Sequence, residues 1–162
     1  AWSAGNWLMD PAKSGGAALD LHIHDVDYVH YLLGAPESVE AVGVRREEGV
    51  SDICAAYRYA DGAVVTLHGS WIYHPGFPFR MSFEIALEGA TLEYDSLRGE
   101  TLYIHTPDGT TETPELPAGD GYIRQHEYFR DCLLKGEPPQ IVTPASSLDA
   151  VRRVEQEVAQ IP

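Results

Sequence analysis

Three turn signals, at Asp61-Gly62, around Gly89 and at Asp108-Gly109, divide the middle of the chain into pairs of short apolar runs. Asp-Gly between two such runs is a strong local hairpin sign, because both residues tolerate the positive φ that tight connections require. Ala55–Tyr59 and Ala63–Leu67 flank the first turn, Phe83–Leu87 and Thr91–Tyr94 the second, Thr101–His105 and Thr110–Glu112 the third. With Val39–Arg46 they predict about seven strands, joined by loops too short for parallel crossovers and therefore mostly antiparallel. His74-Pro75-Gly76-Phe77-Pro78 breaks one run and reads as an exposed loop.

Helical texture lies on either side. From Ala17 to Leu33 a broad apolar stripe (Leu21, Ile23, Val26, Val29, Leu32, Leu33) predicts a helix that Gly34 stops and Pro36 cannot continue. Asp120 is placed to cap a helix over 121–134, closed by Gly136 and Pro138-Pro139. Thr143-Pro144 opens a last helix, with Leu148, Val151, Val154, Val158 and Ile161 as its buried stripe. The order helix, strands, helix, helix predicts an α+β fold, a largely antiparallel open sheet with helices packed on one face.

At 162 residues and 17.8 kDa the chain fits one domain. Its 25 Asp+Glu against 11 Lys+Arg leave a net charge of −14, which argues against nucleic acid and anionic membrane as partners. No apolar run approaches the ~20 residues of a membrane span. Cys54 and Cys132 form neither a metal spacing nor a disulfide framework and read as buried thiols. The chain opens Ala1-Trp2-Ser3 without Met or a signal pattern, so a fragment of a longer protein is expected.

The chemistry concentrates in Asp20-Leu21-His22-Ile23-His24-Asp25-Val26-Asp27, with His30 a turn later. On an α-helix Asp20, His24 and Asp27 are spaced i, i+4, i+7 and share a face. A carboxylate one turn before an imidazole suits a general acid or base. The same pattern also occurs on plain solvated helix faces. Metal binding by the 22–30 cluster, as in a metal-dependent hydrolase, competes. Against it, residues two apart on a helix diverge by about 200°, so His22 and His24 do not readily share an ion. No Gly-x-Gly-x-x-Gly or phosphate-cradling loop occurs. Trp7, Trp71, Tyr73, His74, Phe77 and Phe79 read as core or interface aromatics, and His68 as structural.

Ser14-Gly15-Gly16-Ala17-Ala18-Leu19-Asp20-Leu21-His22-Ile23-His24-Asp25-Val26-Asp27, running into Leu32-Leu33-Gly34-Ala35-Pro36-Glu37-Ser38-Val39, resembles the signature of the glucose–fructose oxidoreductase / inositol dehydrogenase / MocA (Gfo/Idh/MocA) family. There a glycine turn leads into a helix reading Asp-x-x-x-His-x-x-Asp. Tyr128–Pro139 resembles the family's last-but-one helix and turn. The resemblance implies that residues 1–162 are a single substrate-binding and oligomerisation domain, like the C-terminal domain of glyceraldehyde-3-phosphate dehydrogenase. A Rossmann domain binding NAD or NADP is then expected upstream. His24 takes the acid/base position and Asp20 the orienting one, while Trp7, Lys13, His22 and Asp27 are implied substrate contacts and no metal is required.

Departures from the pattern are Ala17 for a third glycine, Trp7-Leu8 where Trp-Arg is common, and His22 where small residues are usual. The implied substrate is a sugar, inositol or related polyol. The implied partner is a second copy of the chain, docked on an open sheet face bearing Tyr57, Tyr59, Trp71 and Phe83. The implied compartment is the cytoplasm, any export signal preceding residue 1, and the isolated fragment is expected to be inactive. A non-catalytic oligomerisation or regulatory module of the same fold is the alternative.

Overall fold

The computed structural model describes residues 4–47, 49–99, 101–117 and 119–162; the opening Ala1-Trp2-Ser3 lies outside them. The chain is α+β, and its strands are all antiparallel. It divides into two compact units, one of residues 1–73 and 139–162, the other of residues 74–138.

The first unit opens with a 3-10 helix (Ala4–Met9) and a single helical turn, α1 (Pro11–Ser14). A π-helical turn (Ala18–His22) then runs directly into α2 (Ile23–Leu33). Strands β1 (Ser38–Arg46), β2 (Gly49–Arg58) and β3 (Val64–Ser70) form a sheet in that order. The Asp61-Gly62 turn joins β2 to β3 as expected, with Gly62 at φ 91°. Helix α4 (Pro144–Val158) completes the unit. Thr143 caps it, accepting from the Ser146 N–H while the Ser146 hydroxyl accepts from the Thr143 N–H.

The core lies between the helices and one face of this sheet. Val26 of α2, Ile53, Ala55 and Tyr57 of β2, Leu67 of β3 and Val154 of α4 are among its buried members. Alternation along β2 sends Tyr57 inward, and Tyr59 follows it; both therefore face the helices, contrary to the expectation that they line an open face. The opposite face carries Val42, Cys54 and His68 side by side. Cys54 is consequently exposed, and only Cys132 of the two thiols is buried. At the end of α4, Arg45 of β1 donates to the Val158 and Ile161 carbonyls (2.8 and 3.1 Å), tying the helix terminus to the sheet edge.

The second unit contains β4 (Ser82–Ala86), β5 (Thr91–Asp95), β6 (Leu102–His105) and β7 (Thr111–Glu112), paired in sequence order. The expected strands are therefore present but divided between two sheets. The interruption falls at 71–81, where Pro75 and Pro78 lack the N–H that a ladder needs. Across β4, β5 and β6, Ile85, Leu92 and Ile104 align on one face. On the other, the Glu93 carboxylate meets His105 at 3.0 Å and also pairs with Arg98, whose guanidinium lies 4.3 Å from the Tyr103 ring centre. Helix α3 (Gly121–Lys135) is capped by Asp120 and stopped by Gly136 at φ 69°, as its sequence predicts.

The π turn packs directly on β3. A β-carbon added at Gly69 would lie 2.8 Å from the His22 Cβ and 3.2 Å from its Cα. Neither neighbour is the free end of a flexible side chain, so Gly69→Ala must push helix from sheet. We expect a loss of about 1–3 kcal/mol, the usual range for overpacking. Urea unfolding measures it; an unchanged midpoint would mean that the helix does not sit on β3 at this point.

Candidate functional site

The turn before the chemistry-bearing helix depends on two glycines. Gly15 and Gly16 have φ of 79° and 71°, a region that other residues seldom adopt. A β-carbon at Gly16 would also meet the Val50 carbonyl oxygen at 2.7 Å, so the turn lies against β2. From Ala17 the chain is helical, but not uniformly α. The Ile23 N–H donates to the Ala18 carbonyl five residues back, the π pattern. A π turn holds more residues per revolution than an α turn. Asp20 lies inside the π turn and His24 just after it, and no hydrogen bond joins them among the described residues.

The turn is fixed from behind. His22 has 0% exposure, and its Nε2 lies 2.7 Å from Oε2 of Glu157 on α4. Glu157 is equally buried, and its Oε1 accepts a short hydrogen bond from the Tyr57 hydroxyl of β2. One carboxylate thus joins the π turn, the central strand and the last helix. With the Glu157 carboxylate ionised, it accepts from the Nε2–H of His22, which leaves Nδ1 as the bare nitrogen of a neutral imidazole. That Nδ1 is buried without a hydrogen-bond partner. Removing one member of such a buried pair typically costs about 3–5 kcal/mol.

The remaining candidate residues lie on the outer side of the helix. Asp20 and Asp27 are half-buried and His24 is exposed, and none of the three has a hydrogen-bond partner among the described residues. Their polar atoms are available to a ligand. Asp25 is exposed; desolvation by the atoms packed around it raises its pKa, opposed by the charges of His22 and His24. Trp7 is 44% exposed on the 3-10 helix. Lys13 pairs with Asp10 at 2.7 Å and holds it below the usual carboxylate range. His30 lines a narrow cleft with Gly34, Tyr57 and Arg153. Among the described residues, no three His, Cys, Asp or Glu side chains are grouped so as to hold a metal ion.

Sequence reasoning missed Glu157 and Tyr57. The expected stripe of α4 included Leu148, which is 47% exposed. Val154 and Ile161 of that stripe are buried and Val158 packs against the core, and Ala150 and Glu157 complete the buried face. A phase search over α4 would have exposed the signal, a carboxylate at the third position after a buried Val.

A glycine turn, a helix carrying Asp20 and His24, and a strand-rich remainder define a domain class that the comparisons identify. Residues 1–93 match the family model described as GFO/IDH/MocA C-terminal domain, and the chain belongs to that family. Bovine (Bos taurus) trans-1,2-dihydrobenzene-1,2-diol dehydrogenase is 25% identical over 162 residues, covering 92% of this chain and 47% of the relative. UDP-N-acetylglucosamine 3-dehydrogenase GnnA from Acidithiobacillus ferrooxidans superposes with a TM-score of 0.80 at 22% identity, covering 96% of this chain and 49% of that one. Levoglucosan dehydrogenase in complex with NADH and levoglucosan gives 0.77 at 20% identity, with 98% and 51% covered. The chain spans about half the length of these proteins. No helix among the described residues is long and apolar enough to cross a membrane.

Burial first, then the hydrogen bond and charge of Glu157, push the Tyr57 hydroxyl far above the ordinary tyrosine range, with Arg153 acting the other way. The folded state therefore holds this proton more tightly than the unfolded chain. The associated stability is complete below the unfolded tyrosine value of about 10 and is lost as pH rises beyond it. We expect the urea midpoint to fall steeply above about pH 10, and less steeply in Tyr57→Phe. Equal slopes in the two proteins would show that Tyr57 ionises without restraint.

Proposed function

We propose that this chain is the substrate-binding half of a nicotinamide-dependent oxidoreductase acting on a sugar, inositol or related polyol. The observation that carries the reading is that Asp20 and His24, on a helix anchored on its inner side, have side chains without a hydrogen-bond partner among the described residues. His24 takes the hydroxyl proton on an unprotonated ring nitrogen and returns it in the reverse direction. Asp20 accepts a hydrogen bond from the substrate and orients it. Trp7, Lys13 and Asp27 are the proposed further substrate contacts; His22, expected among them, is instead fully buried and paired with Glu157, so it supports the turn rather than touching the substrate.

The substrates named for the relatives bear hydroxyls on a ring, the chemistry that such a pair serves. Asp20, Asp25 and Asp27 neighbour His24 in sequence, and Lys13 is paired with Asp10.

The cofactor is NAD or NADP, held mainly by a dinucleotide-binding domain upstream of residue 1. When bound it supplies the hydride acceptor. An exposed imidazole with no internal partner fits a proton-transfer role beside such a group. The chain supplies proton handling and substrate orientation, with a second copy of the protein as its assembly partner.

In the complete protein, nicotinamide reduction measured across sugars and polyols should fall by about 100-fold or more in His24→Ala, the scale of a lost general acid or base. Dinucleotide affinity should be unchanged. Undiminished turnover in the variant would remove His24 from the chemistry.

A further inference from the structure

π turns are rare and occur mostly as single turns inside α-helices, so each calls for a cause in its surroundings. Here the surroundings are identifiable. The residue closing the turn, His22, is seated on Gly69 by backbone proximity and held by Glu157 through one hydrogen bond of 2.7 Å. Glu157 is itself fixed by the Tyr57 hydroxyl. Its second nitrogen is buried and unpartnered, so the polar anchoring of the ring among the described residues is a single acceptor 135 residues away in sequence.

We propose that Glu157 is a positioning residue: through His22 it imposes the π turn and so sets the direction of Asp20 relative to His24. The geometry gives the size of the effect. Asp20 lies within the π turn and His24 follows it, so any change in the winding of the turn acts between them. Relaxation to α winding absorbs one residue fewer and would rotate the chain before the turn by about 100° relative to α2. Asp20, inside the turn, would turn through part of that angle relative to His24, which changes the geometry of the pair without touching either side chain. Tyr57 belongs to the same device, since it supplies the second hydrogen bond that keeps the carboxylate in place. Other charged groups around the cluster are Asp25, on the helix that carries His22, and Arg153, one turn before Glu157 on α4; both act on it through charge.

The proposal rests on the functional reading above for its consequence in turnover, while the turn itself can be observed without turnover. The experiment uses the complete protein with Glu157→Leu, which removes both acceptors, Glu157→Gln, which keeps one, and Tyr57→Phe, which keeps the carboxylate and the fold. Amide hydrogen exchange over residues 18–24 is compared with exchange in β2 as an internal reference. Polyol turnover is measured on the same samples.

Exchange at 18–24 should accelerate at least tenfold in Glu157→Leu and less in Tyr57→Phe, with β2 changed by less than threefold. Glu157→Gln should recover part of the protection. In turnover, kcat should fall at least tenfold in Glu157→Leu while KM stays within threefold, and Glu157→Gln should restore part of kcat. Equal acceleration in β2 and the turn would mean that Glu157 serves only global stability, overturning the proposal. Should Glu157→Leu not fold, Tyr57→Phe decides by the same comparison. Local acceleration in a protein whose wild type oxidises no polyol would uphold control of the turn and reject the functional reading instead.

Discussion

A carboxylate with 0% exposure is costly unless its charge is met by donors, and Glu157 has two, each from a different part of the fold. The Tyr57 hydroxyl comes from the central strand and the His22 imidazole from the turn that opens α2. Neither donor belongs to α4, so the last helix can satisfy its own buried charge only when strand and turn are in place. This condition couples residues near positions 20, 57 and 157, which no local propensity would bring together. Dispersion contacts of Val154, Val26 and Ile53 supply the bulk of the burial, but such contacts tolerate sliding. The Glu157 cluster does not, because a displacement of an ångström leaves a buried donor or a buried charge unpaired.

The glycines make that arrangement possible. Gly69 lets the backbone around His22 approach β3, and Gly16 lets the preceding turn approach the Val50 carbonyl. Larger residues would hold the turn away from the sheet. The Nε2 atom would then move away from the carboxylate that it reaches at 2.7 Å. Close approach of backbone to backbone and pairing of side chain to side chain are thus two parts of one constraint.

Local signals were legible in the sequence and long-range ones were not. The hairpin turns, the Asp120 and Thr143 caps and the Gly34 and Gly136 stops all depend on a few neighbouring residues, and each appears where its chemistry predicts. The division of the strands into two sheets was less visible, although the prolines of 71–81 mark the place. Tyr57 and Tyr59 were assigned to the open face because alternation gives two faces without saying which is covered. The π turn left no sequence mark, since an Asp-x-x-x-His spacing reads equally well at 3.6 residues per turn. Asp20 and His24 could be chosen from the sequence by their chemistry. The relation between them could not, because the cluster that governs it involves a helix more than a hundred residues away.

His22 shows why that distinction matters. It occupies a position where the family resemblance leads one to expect a small residue, and an imidazole there can turn outward, into the substrate's space, or inward. Outward, it would add a third polar group beside Asp20 and His24. Inward, it needs a partner of opposite character at the same depth, and Glu157 is that partner. A chain that kept Glu157 but carried glycine at 22 would leave the carboxylate with Tyr57 as its sole donor, so the two positions are energetically linked. The polar character of the turn's inner side is therefore committed to holding the fold, while Asp20 in the turn and His24 after it keep side chains without a hydrogen-bond partner among the described residues.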